Sequence, residues 1–140
     1  MLKLKPYSAS LLSLAGLLLV AMGIYFVLLR PALLPEDLRY MKTTLSILND
    51  SAQGLSGWLH KVFWVLGGYI LTTGLLTVFI SFTSFRKRLP GVFIIITLAG
   101  VNSIGLMTVV NFIIGSDFKW LLLSFTLLWV FALILYRLNK

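Results

Sequence analysis

Four long apolar stretches joined by short charged connections predict an all-α integral membrane protein, a four-helix bundle with an amphipathic interfacial helix in its first outer loop. Composition supports this: 59% of the 140 residues are hydrophobic and only 11% charged, where a soluble domain carries roughly 25% charged residues. Placement supports it too, because Lys and Arg gather at the ends of the apolar runs, where they anchor helices against lipid headgroups. The net charge of +8 is therefore read as membrane anchoring, with membrane lipid as the expected partner and no nucleic acid.

A span needs about 20 mostly apolar residues to cross a hydrocarbon core of about 30 Å. The first runs from about Ser8 to Leu29. Lys3 and Lys5 ahead of it give it the look of a signal peptide, but the run is too long for one and lacks a cleavage signal, so an uncleaved span is expected. The second runs from about Val62 to Ser84 and ends at Arg86, Lys87 and Arg88. Pro90 opens the third, about Gly91 to Ile114, and the fourth runs from Trp120 to Tyr136 with an aromatic residue at each end.

In the loop after the first span, Pro35 followed by Glu36 and Asp37 reads as a helix start. Leu38, Met41, Leu45 and Leu48 then recur at helical spacing, predicting one amphipathic helix over about 35–49 that lies on the membrane or caps the bundle.

Orientation follows from counting charges. Lys3, Lys5, Arg86, Lys87, Arg88, Arg137 and Lys140 fall on one side without an acid, while Glu36, Asp37, Asp50 and Asp117 all fall on the other. Positive charge is retained in the cytoplasm, so both termini are expected there.

Helices in lipid associate through close packing at small residues and through interhelical hydrogen bonds. Ala9, Ser13, Gly16 and Gly23 stripe the first span, and Gly67, Gly74 and Ser81, with Thr77, stripe the second. Gly16, Gly23, Gly67 and Gly74 are thus the expected packing residues, the two stripes facing each other or a shared third helix. The third span is the polar one, and Asn102 and Asn111, nine residues apart, project to opposite faces of a regular helix. It is therefore expected to be central or oligomer-facing. Thr72 and Thr73 of the second span, with Asn102 and Ser103 of the third, form an expected midplane polar cluster. Such a cluster either ties helices together or binds a polar ligand. The fourth span, with only Ser124 and Thr126 among its apolar residues, is expected to be the most lipid-exposed.

No span carries an ionisable residue in its interior, which argues against a proton-coupled exporter but leaves room for a pore lined by Asn, Ser and Thr. Cysteine is absent, and the lone His60 beside Trp58 and Lys61 reads as a headgroup contact. Catalytic, metal and cofactor sites are not expected.

The segment Leu34–Met41, L-P-E-D-L-R-Y-M, between the first span and a second span carrying G-G-Y, resembles small uncharacterised four-span membrane proteins of bacteria. The resemblance covers about half the chain. It implies a bacterial inner membrane and the same four-helix plan, and it brings no activity with it. The leading expectation is a non-catalytic accessory, scaffold or regulatory subunit that packs against itself, as a homo-oligomer, or against a membrane-protein partner. A small oligomeric channel or transporter for a neutral or weakly polar solute is the alternative. A lipid-binding protein with the loop helix as a lid over acyl chains is the third.

Overall fold

The computed structural model describes residues 5–138, and no strand occurs among them. Lys3, Lys140 and the side chain of Lys5, which enter the charge count, lie outside the described residues. The chain forms α1 (Lys5–Leu28), α2 (Pro35–Met41), α3 (Leu45–Ser51), α4 (Leu55–Ile80), α5 (Val92–Gly100), α6 (Leu106–Ile114) and α7 (Lys119–Leu138). A π-helical turn at Ser81–Phe85 prolongs α4, and another at Val101–Gly105 joins α5 to α6. Four of the resulting helices, Tyr7–Leu28, Leu55–Phe85, Val92–Ile114 and Lys119–Leu138, are long and apolar enough to cross a membrane. That is the architecture of a multi-pass membrane protein.

The ends of the spans follow local chemistry. Gly54 and Gly91 adopt the left-handed conformation that favours glycine, φ 90° and 80°, immediately before α4 and α5. The second span therefore starts at Leu55, earlier than expected near Val62, with Ser56 to Lys61 in its first turns.

The loop helix differs from expectation in a more consequential way. Instead of one helix over 35–49 there are two short ones, α2 and α3, with a break at Lys42–Thr44. Lys42 turns left-handed (φ 54°) and its N–H returns to Arg39 and Leu38 carbonyls. Thr44 then caps α3, its hydroxyl accepting from the Ile47 N–H at 3.5 Å. Two adjacent β-branched residues and a side-chain cap compete with helix continuation, and a regular apolar spacing does not outweigh them. Met41 and Leu45, the middle pair of the expected stripe, are exposed.

The spans lie side by side in the order second, first, fourth, third: α1 packs along both α4 and α7, and α7 packs on α5, α6 and the π turn between them. The third span, expected to be central or oligomer-facing, is not central and sits at one end of this row. It approaches the second closely only beside the tight turn at 86–91, where the Ser81–Phe85 turn meets α5. There Phe85, Phe93 and Tyr136 stack, with ring centroids 4.4 and 5.5 Å from Tyr136. Arg88 lies over Tyr136 and Arg137 over Phe93.

Along α1 and α4 the two glycine stripes meet each other directly and antiparallel. A Cβ on Gly74 would lie 2.6 Å from the Val20 nitrogen and 2.8 Å from the Gly16 carbonyl oxygen. One on Gly23 would lie 2.5 Å from the Leu71 nitrogen, and one on Gly67 would lie 3.0 Å from the Gly23 carbonyl oxygen. Backbone touches backbone along this seam, so no larger residue fits. Gly67, Ile70, Gly74, Thr77 and Ser81, spaced alternately by three and four, are the buried face of the second span.

Although α7 is the least buried of the four spans, one stripe of it, Leu122, Trp129, Ala132 and Tyr136, is buried. The Trp129 indole lies flush on Gly100, in space that a Cβ would need, and its Nε1–H donates to the Ile96 carbonyl at 3.2 Å. Thr126 and Thr108 share a hydrogen bond of 2.7 Å, and Thr126 also reaches the Ile104 carbonyl at 3.3 Å.

Candidate functional site

Because α1 and α7 occupy the middle of the row, the second and third spans stand apart and enclose a cleft of about 680 Å³. Its floor comes from α1 and α7, through residues such as Leu19, Met22, Leu122 and Phe125. One wall is α4, with Phe63, Ile70 and Thr73, and the other runs from Asn102 through Met107 to Ile114. The volume falls inside the range of about 300–1,000 Å³ typical of small-molecule sites, and the walls share their character: mostly apolar, with a few polar groups.

Those polar groups include three of the four residues expected at the midplane. Thr73, Asn102 and Ser103 line the cleft, whereas Thr72 is exposed and takes no part in the lining. They do not bond one another across it. Thr73 donates to the Tyr69 carbonyl at 2.8 Å, Asn102 to Leu98 at 2.9 Å and Ser103 to Ala99 at 2.5 Å, each within its own helix. Each donor is satisfied locally, so a polar side chain faces the cleft without the cost of an unmade hydrogen bond.

Asn111 also lines the cleft, its Nδ2 donating to the Met107 carbonyl at 2.8 Å. In an uninterrupted helix it would face away from Asn102. The π turn at Val101–Gly105 absorbs about one extra residue, a lag of about 100° in facing direction. Both asparagines thereby come to the same cavity. Periodicity alone misses this; the closely spaced Gly100 and Gly105 in a polar stretch are the only visible signal of an irregular turn.

At the end of the cleft nearest the loops, the lining turns ionic. Arg30, Glu36, Asp37 and Ser116 all contribute to it. Arg30, 8% exposed, donates to the Pro31 carbonyl at 2.9 Å and contacts the Asp37 carboxylate at 3.3 Å. Its guanidinium lies 3.4 Å from the centre of the Phe63 ring, a desolvated cation–π contact. Burial pushes the Arg30 pKa down from its ordinary value, while Asp37 foremost, and Glu36 least, oppose the shift. Asp37 also accepts the Leu34 N–H at 2.9 Å, closing the start of α2. Glu36 is 3% exposed and accepts from the Ser116 hydroxyl at 3.1 Å. Beside it, Arg39 pairs with Asp117 at 2.8 Å on the surface. The first loop is thus tied to the loop joining the third and fourth spans, across the end of the cleft.

Glu36 and Asp37 read in sequence as acids complementing a helix start, and Asp37 has that role. Nothing in the spacing reveals that Glu36 is buried, since its cover comes from a residue 80 positions away. No protein-family model matches this sequence, and comparison with curated proteins and with solved structures returns no match.

Proposed function

We propose that this protein is a non-catalytic membrane protein that holds a lipid-like amphiphile in the cleft between its second and third spans. The observation that carries this reading is the cleft itself, an apolar trough with a polar end at the loops. An acyl chain needs the first and a headgroup needs the second. The nearly apolar walls also favour a chain over a hydrated solute, so of the three classes open to the sequence the lipid-binding one gains most.

In this reading the four spans form a bundle in a bacterial inner membrane, with both termini cytoplasmic and α2 and α3 at the outer interface. The charge asymmetry supports that orientation. Single cysteines test it in a chain that has none of its own: one at Ser51 reacts with an impermeant thiol reagent in intact cells, and one at Ser84 is shielded. The opposite pattern reverses the topology.

Lipid retention tests the cleft. Mass spectrometry of the protein released from native membrane in mild detergent is expected to show bound lipid, and Met107→Trp, which fills the cleft from its third-span wall, is expected to remove it. Equal lipid on the parent and a folded Met107→Trp variant would rule the cleft out as the binding site.

A further inference from the structure

Building on the amphiphile reading, the charges at the loop end of the cleft specify a head. Arg30 and Asp37 are committed to each other at 3.3 Å, and each has further partners: the Pro31 carbonyl and the Phe63 ring for Arg30, the Leu34 N–H for Asp37. Glu36 is different. It is 3% exposed, it faces the cleft, and the one hydrogen bond described for it comes from Ser116. Ser116 is a neutral donor that also accepts the Phe118 N–H, and Glu36 belongs to neither of the two ion pairs among the described residues. Arg30 and Arg39 both feel the Glu36 charge, but each bonds another acid, so the five charged groups here, Arg30, Arg39, Glu36, Asp37 and Asp117, carry one negative charge in excess at the head of an apolar cavity.

A buried carboxylate with no cation in hydrogen-bonding reach is costly, and the cost is relieved when one enters that reach. We propose that the cleft selects an amphiphile with a protonated primary amine head, which pairs with Glu36 while the hydrocarbon chain lies along α1 and α7. An ammonium suits this place because it both neutralises the carboxylate and donates to Oε2, the oxygen that Ser116 leaves free. A carboxylate or sulfate head would instead meet two acids and an arginine already taken.

Three probes with one chain and different heads test the proposal: hexadecylamine, hexadecanol and hexadecanoate, each titrated into the purified protein in an uncharged maltoside and counted by native mass spectrometry. Hexadecylamine is expected to bind about tenfold more tightly than hexadecanol, a difference of about 1.4 kcal/mol, with hexadecanoate weakest. Glu36→Gln, which keeps an oxygen for Ser116, is expected to bring the amine down to the level of the alcohol. Equal binding of all three probes to the parent protein would overturn the head selection and leave the cleft standing. An amine preference that persists in Glu36→Gln would also overturn it. Failure of every probe to bind would remove the amphiphile reading itself, and the parent series decides these points even if the variant folds poorly.

Discussion

The two faces of the second span meet opposite fates. Toward α1 it is welded: Gly67 and Gly74 bring backbone to backbone with Gly16, Val20 and Gly23, and no side chain separates the helices. Toward the third span, its immediate neighbour in sequence through a tight turn, it stands open, and Thr73 faces Asn102 and Ser103 across a cavity. Sequence adjacency and shared polarity did not close that gap, whereas complementary surface closed the seam with α1. A glycine stripe offers a matching partner close packing over several turns, whereas threonine and asparagine donors that are satisfied by their own helix's carbonyls gain little from a neighbour.

The closed seam is where substitution costs most. Gly74→Leu or Gly23→Leu pushes a side chain into the facing backbone, which cannot rotate away as a side chain could. A loss of about 3 kcal/mol is expected, visible as a large fall in melting temperature in mild detergent. Melting like the parent would show that the seam is looser than its geometry. The α5–α7 contact is intermediate, since Gly100→Ala collides with the Trp129 indole rather than with backbone. About 2 kcal/mol is expected, with a change in tryptophan fluorescence as the ring leaves Gly100. Gly68→Ala is the matched control: nothing lies within 4 Å of the added methyl, so a comparable loss there would mean that helix glycines in this protein matter for some reason other than packing.

Smaller effects sharpen the other half of the contrast. Thr126→Val removes a hydrogen bond that does cross between helices, and about 0.6 kcal/mol is expected, the average for such bonds in a membrane. Asn102→Leu removes only a bond within its own helix, so its stability is expected to stay within about 0.5 kcal/mol of the parent. If Asn102→Leu proved more costly than Thr126→Val, the cleft wall would have to be packed against something, and the open description of that face would fail.

Much of the fold is legible in the residues because each span is specified locally. About 20 apolar residues bounded by charge or by glycine suffice to mark a membrane helix, and the third and fourth spans end within two residues of expectation. The glycine stripes are legible for a similar reason: a Gly-to-Gly step of seven residues stays on one helix face, and one such face calls for another. Less of the site could be read. Thr73, Asn102 and Ser103 are conspicuous as polar residues in apolar spans, but polarity does not say whether a group binds across helices or within its own. The fourth span reads in sequence only as the most lipid-exposed, and its packing role emerges where Thr126 and Trp129 meet carbonyls of the third.

Composition and periodicity by themselves determined the class of the protein, the number of its spans and the faces that pack, since these depend on transfer of side chains from water and on the helical repeat. Tertiary structure decided the rest. The order of the spans follows from which surfaces match, and that order opens the cleft. The break at Lys42 follows from a competition among local caps, the turn of Asn111 toward Asn102 from one extra residue in a π turn, and the burial of Glu36 from contact with Ser116 in a distant loop. Each depends on groups far apart in the chain or on one irregular turn, and a regular pattern carries information about neither.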